Sequence, residues 1–351
     1  MSWENNVRMV EPYVPGEQPN KPKMIKLNTN ENPYGPAPGV RQAIAEFDID
    51  RLRLYPDALI TGLTQDLAEY YHLKTEQIFV GVGSDDVLAL AFLTFFNSGK
   101  PILFPDITYS FYDVWAGLYR IPYKTIPLRE DFRICMEDYL IENGGIVIAN
   151  PNAPTGVLES VEDLEIIIQK NQNSVVIIDE AYIDFGGNSC LPLIDKYDNL
   201  LVVQTFSKSR SMAGMRIGFA MGNAKLIRYL SDAKFATNSY TMNLPALILG
   251  REAVKDVAYF KDTLKKIIKT REWTKQELKN LGFSFTDSYS NFIFASHNEC
   301  RAKDIFEALR ENDIYVRYFP KARIDNYLRI SIGTDEEMKL LIEALTKYLK
   351  K

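Results

Sequence analysis

Past residue 40 the chain alternates two textures: short unbroken apolar runs, and longer stretches in which apolar residues recur every three or four positions. The runs are QIFVGV (77–82), PILF (101–104), GIVIA (145–149), SVVII (174–178) and LLVV (200–203). Each is rich in β-branched or aliphatic residues, and each ends in polar or turn-forming ones. Continuous apolar strands separated by helical patterns predict an α/β fold, a mainly parallel sheet covered by helices on both faces. Residues 85–96 (DDVLALAFLTFF) predict a strongly apolar helix opened by acidic residues. After about residue 243 a long charged helical region leads into SNFIFAS, AKDIFEALREN, YLRISIG and DEEMKLLIEALTKYL, an α+β texture. The first 35 residues are rich in Pro, Asn and Gly and predict an extended arm. The expected organisation is therefore an arm over 1–35, a large domain over 36–243 and a smaller C-terminal domain over 244–351.

Composition narrows the classes. With 46% apolar and 12% aromatic residues in 351, the chain can bury a real core. A net charge of −5 with both signs interspersed predicts neither a nucleic-acid partner nor an anionic membrane. No run approaches the ~20 apolar residues of a membrane span, and MSWENNVRMV has no apolar signal-peptide core. Cys135, Cys190 and Cys300 are odd in number and far apart, which predicts no disulfide framework, no zinc spacing and a reducing cytoplasm. His72 and His297 are the only histidines, leaving little for a histidine metal site or a Ser/His/Asp triad; no metal is expected.

In an open parallel sheet, ligands bind just beyond the carboxyl ends of the strands. The candidate chemistry sits there. GVGSDD (81–86) lies between a strand and a helix, where Gly83, Ser84 and Asp85 can cradle an anion on free backbone N–H groups. Alone, it reads more readily as a capped glycine turn. Asp179 ends the run SVVIID, with Tyr182 three residues on. A carboxylate so placed is costly without a cation or hydrogen-bond donors. NPNAPTG (150–156) is a rigid polar loop after a strand, and Tyr109 in PDITYSFY faces the same crevice. TFSKSRSMAGMRIG (205–218) sets Lys208 among Thr205, Ser207 and Ser209, with Arg216 eight positions on and Ala213 and Gly214 permitting a close turn. A free lysine, with pKa near 10.4, is a poor nucleophile; partly desolvated beside other cations it can condense with an aldehyde. Together these strand ends specify an aldehyde-bearing, phosphorylated, cationic heterocycle: pyridoxal 5'-phosphate.

The stretches VRMVEPYVPG, LNTNENPYGP, LYPD, GVGSDD, NPNAPTG, DEAYIDF, TFSKSRSMAGMRIGF and YLRISIGT occur in this order. With them the chain resembles, over its full length, the fold-type I pyridoxal-phosphate-dependent aminotransferases, and among these the histidinol-phosphate aminotransferases. The resemblance implies a large domain with a mainly parallel seven-stranded sheet, a smaller α+β C-terminal domain and an extended N-terminal arm. It implies that Lys208 carries the cofactor and shuttles the substrate's α-proton, Asp179 pairs with the ring nitrogen, Tyr182 bonds the ring hydroxyl and Tyr109 stacks on the ring. Ser84, Asp85, Thr205, Ser207 and Arg216 would hold the phosphate. Tyr55 would reach the cofactor phosphate of a partner subunit, which implies a homodimer. Arg317 and Arg329 would bind the substrates' anionic groups, and Tyr13 in the arm would close over the substrate. One position departs from the family: Ala153 stands where an asparagine usually bonds the ring hydroxyl, and Asn152, one residue earlier, is the substitute candidate.

The implied reaction interconverts histidinol phosphate with 2-oxoglutarate and imidazole-acetol phosphate with glutamate, a step of histidine biosynthesis. An aromatic-amino-acid aminotransferase or a threonine-phosphate decarboxylase of the same fold would keep Lys208 and Asp179 and differ in the anion the arginines meet. A non-catalytic cofactor-binding regulator would need a helix-turn-helix segment and a basic face, and this sequence shows neither.

Overall fold

The structure is a computed structural model of the chain and describes residues 2–14 and 16–350. Strand β1 (Ile25–Lys26) leads into helices α1 (Pro38–Ala45) and α2 (Thr61–Tyr71). Then come β2 (Ile78–Gly81), α3 (Gly83–Phe95), β3 (Ile102–Pro105), α4 (Tyr112–Tyr119), β4 (Tyr123–Ile126), β5 (Gly145–Ala149), α5 (Val161–Lys170), β6 (Val176–Asp179), β7 (Leu200–Thr205) and β8 (Gly218–Gly222). Helices α6 (Ala224–Thr237), α7 (Leu244–Lys255) and α8 (Val257–Asn280) follow. The chain ends with β9 (Phe283–Phe285), β10 (Phe292–His297), α9 (Ala302–Glu311), β11 (Ile314–Tyr315), β12 (Arg317–Tyr318), β13 (Leu328–Ser331) and α10 (Asp335–Leu349).

Seven strands form one sheet in the order β2-β8-β7-β6-β5-β3-β4. Six run one way; β8 alone is antiparallel to both its neighbours. The unbroken apolar runs follow from burial on both faces. Ile146, Ile148, Ile178 and Val202 pack with Leu63, Leu67, Ile167 and Ala246 on one side. Val147, Ile177, Leu201 and Val203 pack with Leu88, Trp115 and Ile227 on the other. Each such side chain contributes roughly 1.5–3 kcal/mol of burial. The register aligns the carboxyl ends. Asp179 pairs with Ala149 on one side and Val203 on the other, and Gly218 sits between Gly81 and Thr205.

The smaller unit is a four-stranded antiparallel sheet, β12-β13-β10-β9, packed on α8, α9 and α10. Two sequence expectations shift here. Helix α7 packs against α1 and α2, and its Ala246, Leu247, Leu249 and Val254 share the large unit's core, so packing keeps α7 with residues before 244. The arm also ends in a packed element: β1 pairs in parallel with β11, and Leu27 is buried in the small unit's core. Two residues whose partner lies almost 300 positions away carry no local periodicity, so the sequence could not announce that strand.

Candidate active site

The strand ends meet the segment after β1 around a cavity of about 170 Å³. Its lining includes Ser84, Asp85, Tyr109, Asp179, Tyr182, Thr205, Ser207, Lys208 and Arg216, nine of the residues singled out from sequence. A larger groove of about 890 Å³ opens at the opposite, amino ends of the strands, beside Asn143, Ser174 and Asn199. Its Lys100 and Lys196 are already paired with Glu142 and Glu165, and it carries no comparable chemistry.

At the floor, Asp179 is the last residue of β6 and is buried. Burial pushes its carboxyl up to about 6, opposed by an O–H donated from Tyr112 at 2.8 Å and the Ala181 N–H at 3.2 Å. A desolvated carboxylate with two donors and no direct cation is a ready partner for a cationic ring nitrogen. Tyr182 accepts from Asn30 Nδ2 at 2.9 Å, which leaves its own phenolic proton free to donate. Lys208 Nζ lies 3.3 Å from the Thr29 carbonyl oxygen and 5.7 Å from the Tyr182 ring centre. The chain at the lysine and just after it is clamped: Asn32 Nδ2 donates to the Lys208 and Ser209 carbonyls, each at 3.1 Å, and Ser209 donates to Asp184 at 2.6 Å.

At one end the cavity is built for an anion. Helix α3 begins at Gly83, whose φ is +83°, and presents the backbone N–H groups of its first turn. Arg216 NH1 is 3.3 Å from Ser207 Oγ, and Thr205 Oγ1 is 3.0 Å from the same hydroxyl. Arg216 itself adopts φ +53°, a left-handed conformation that a non-glycine residue keeps only where its surroundings impose it. Gly214 has open space where a side chain would stand and no unusual φ, so the tight backbone falls at Arg216 and Ser211. The Asp85 side chain is spoken for: one oxygen accepts from Tyr109 OH at 2.7 Å, the other from Arg216 NH2 at 2.9 Å. What Asp85 can offer a phosphate is its backbone; its carboxylate orients the arginine and the tyrosine.

Asn152 does not reach the cavity. Its amide donates to the Ile107 carbonyl at 2.9 Å and to Thr155 Oγ1 at 3.0 Å, while its oxygen accepts from Thr108 at 2.8 Å. Its side chain ties the 150–156 loop to residues 107 and 108 and to its own Thr155, so the substitute role expected from its position fails, and Ala153 lines the cavity instead. Tyr55 is 83% exposed and rests on Tyr240, 4.7 Å between ring centres, away from this chain's own cavity. Tyr13 stacks on Phe111 at 4.2 Å, and Phe111 in turn touches Tyr109. Arg317 and Arg329 face each other across β12 and β13. Arg329 donates to the Asn28 carbonyl at 2.9 Å, while its Nε is buried without a partner. Burial pulls this guanidinium below its ordinary value, against the Tyr182 phenol and with the help of neighbouring Arg317. Neither arginine has a carboxylate in ion-pair range among the described residues. Sequence reading missed Asn30, Asn32 and Tyr112. The first two lie in the quoted NTNENP stretch, where the asparagine density was a usable signal; Tyr112 looked like a core aromatic and is one that also carries a hydrogen bond.

The described residues suit pyridoxal phosphate: a lysine amine at one edge, a buried acid at the floor, an aromatic face in Tyr109, and hydroxyls, an arginine and a helix N-terminus at the anion end. The aminotransferase class I and II family model matches residues 22–345. A histidinol-phosphate aminotransferase of Lactococcus lactis subsp. cremoris (strain MG1363) is 55% identical over 350 residues, covering 100% of this chain and 98% of the relative. One from Clostridium botulinum (strain Okra / Type B1) is 52% identical over 349 residues, covering 99% of each. Among solved structures, the histidinol-phosphate aminotransferase of Clostridium acetobutylicum superposes with a TM-score of 0.86 at 24% identity, covering 93% of this chain and 99% of that one. That of Sinorhizobium meliloti, in complex with pyridoxal-5'-phosphate, gives 0.85 at 24%, covering 93% and 92%. The structural matches speak for the fold, and the family model and sequence identities speak for descent: this chain belongs to the class I and II aminotransferases and, within them, to the histidinol-phosphate aminotransferase family.

Proposed function

We propose that the chain is a pyridoxal-phosphate-dependent transaminase that moves an amino group between histidinol phosphate and 2-oxoglutarate, giving imidazole-acetol phosphate and glutamate, in histidine biosynthesis. The observation that carries it is the meeting of Lys208, Asp179 and Arg216 at one cavity in a chain 55% identical to a histidinol-phosphate aminotransferase. Lys208 holds the cofactor. The Ser84 backbone, Thr205, Ser207 and Arg216 hold its phosphate, Tyr109 covers its ring, Tyr182 donates to its hydroxyl and Asp179 faces its ring nitrogen. When bound, the cofactor supplies an electron-poor ring that takes up the electron pair left at the substrate's α-carbon.

The chain's own part is positioning and proton transfer. Lys208 Nζ takes the proton from the α-carbon of the amino donor and, in the second half-reaction, delivers one to the α-carbon of the acceptor on the same face. Asp179, kept from water, is placed to stabilise positive charge at the ring nitrogen. Arg317 and Arg329 take the substrate's carboxylate or phosphate, because a guanidinium fork meets two oxygens of either. Tyr13 closes the site from the arm. Tyr55 serves the site of a second copy, so the working unit is a homodimer. This is supported by the exposed apolar surface around it, which includes Ile49, Leu52, Leu54 and Leu59. The cytoplasm is the working compartment, a reading supported by the three free cysteines.

Rates with histidinol phosphate, phenylalanine and threonine phosphate, with 2-oxoglutarate as acceptor, test the assignment. Histidinol phosphate is expected to be the preferred donor; preference for phenylalanine, or release of carbon dioxide from threonine phosphate, would replace it with one of the sister activities. The Lys208→Ala variant is expected to lose the visible absorbance of the lysine-bound cofactor and more than about a thousandfold of turnover while keeping its circular dichroism, on the scale seen when a covalent catalyst is removed.

A further inference from the structure

One ionisable group in the cavity takes no part in that chemistry. Glu31 lines it alongside Lys208, with its side chain 46% exposed. Its carboxylate accepts from Thr29 Oγ1 at 2.6 Å and forms a close ion pair with Lys26. Although burial alone would raise it, these bonds and the charge of Lys208 hold the carboxyl below its usual range, so it is ionised at neutral pH.

The segment that carries Glu31 touches the rest of the site in a definite order. The Asn28 carbonyl accepts from Arg329, the Thr29 carbonyl accepts from Lys208, the Asn30 amide holds Tyr182, and Glu31 follows. Three residues reach at most about 10 Å, so the anion-binding arginine, the lysine and the carboxylate are strung along one short span. Histidinol phosphate has the same order: a phosphate, then the carbon bearing the amine, then an imidazole whose ring N–H is a hydrogen-bond donor. With the phosphate at Arg329 and the amine-bearing carbon at Lys208, the ring extends toward Glu31.

Resting on the proposed transaminase function, we infer that Glu31 is a specificity-determining residue, whose carboxylate accepts the ring N–H of the imidazole substrate and so separates it from equally sized flat rings without a donor. Bonding the ring N–H favours the imidazole over an analogue lacking it, because the analogue forfeits a hydrogen bond to a charged group. Lys26 is the partner that keeps Glu31 oriented and tempers its repulsion of the carboxylate on the second substrate.

The test compares wild type, Glu31→Gln and Lys26→Met with two donors: histidinol phosphate and the phosphate ester of 2-amino-3-phenylpropanol, which has the same phosphate and amine but a ring without N–H. Glu31→Gln is isosteric and should fold. It is expected to lower kcat/KM for histidinol phosphate about ten- to hundredfold, the range for a hydrogen bond to a charged group, and to leave the phenyl ester within about threefold. Calorimetric titration of histidinol phosphate into the cofactor-free proteins should show the same weakening in Kd. Lys26→Met, which keeps the carboxylate but removes its orienting partner, should lower kcat/KM for histidinol phosphate less than Glu31→Gln does and leave the phenyl ester within about threefold. Equal loss on both donors, or no loss on either in Glu31→Gln, would each overturn the inference. Failure of the proposed function itself would show separately, as a wild type that does not turn over histidinol phosphate.

Discussion

At the scale of single residues, two adjacent buried acids divide the labour at the end of β6. Asp179 faces the cavity, whereas Glu180 turns into the protein, where it accepts from Ser189 at 2.6 Å, the Cys190 N–H at 2.7 Å and Gln204 at 2.9 Å. Burial nevertheless pushes the Glu180 carboxyl up to about 7 from its ordinary 4.5. A folded-state value above the unfolded one means that the associated stability is fully present below about 4.5 and is lost as pH rises through about 7. Glutamine mimics the protonated acid. Glu180→Gln should therefore match wild type near pH 4.5 and exceed it above pH 7, by at most about 3 kcal/mol. Urea midpoints taken across that range would show the difference, and parallel curves for the two proteins would remove Glu180 from the account. The same scale shows what the sequence disclosed. Lys208, Asp179 and Tyr182 were legible because ionisable or hydroxyl residues stood at or just after the ends of apolar strands, where burial demands a reason, and Arg216 because small residues between it and Lys208 permit a close turn. Asn152 was misread because one residue's offset in a rigid loop reverses where a side chain points, and offset alone carries no direction.

At the scale of elements, the anion cradle depends on how closely β8 approaches the start of α3. A methyl group at Gly218 would lie 2.2 Å from the Gly83 carbonyl carbon and the Ser84 nitrogen, both backbone atoms that cannot swing aside. At Gly214, in the same segment, a methyl group would meet nothing within 4 Å. Gly218→Ala is therefore expected to lower the apparent melting temperature by several degrees and weaken cofactor binding at least about tenfold, because the first turn of α3 must move. Gly214→Ala should stay within about 0.5 kcal/mol of wild type with unchanged cofactor affinity. Thermal melts and a cofactor titration distinguish the pair, and similar behaviour in both variants would mean that the cradle tolerates displacement. Five strands of the large sheet were visible as apolar runs, because burial on both faces leaves no room for polar residues. Two were not. β4 is an edge strand with three exposed positions, and β8, GFAMG, has glycine at both ends and little side-chain signal. Glycine is what the close packing at Gly218 requires, so the feature that builds the cradle is the one that hid the strand.

At the scale of the whole molecule, the site draws on both units and, in the proposed dimer, on a second copy. The small unit reaches the cavity through one continuous hydrogen-bonded path: Ser331 of β13 donates to Asn30 Oδ1 at 2.9 Å, and Asn30 donates to Tyr182. Tyr55 has no such path to its own cavity, yet it is held in place. Buried Lys234 donates to the Ala58 carbonyl at 2.7 Å, pinning the loop that follows Tyr55, and Tyr240 supports its ring. A largely exposed tyrosine on a pinned loop amid exposed Ile49, Leu52, Leu54 and Leu59 makes sense if a copy of the chain covers that surface in a two-fold arrangement. Complementation between subunits tests this. Lys208→Ala lacks its own lysine but keeps Tyr55 to lend; Tyr55→Ala keeps its lysine but lends nothing. In a mixed dimer, one of the two sites then has Lys208 from its own chain and Tyr55 from the other. With random exchange half the dimers are mixed, so mixing two nearly inactive proteins should restore about a quarter of wild-type turnover. Sedimentation must first show that both variants remain dimeric. Restoration that grows with the time allowed for subunit exchange would establish sharing of Tyr55 between subunits, and mixed dimers without recovered activity would mean that Tyr55 serves its own chain's site.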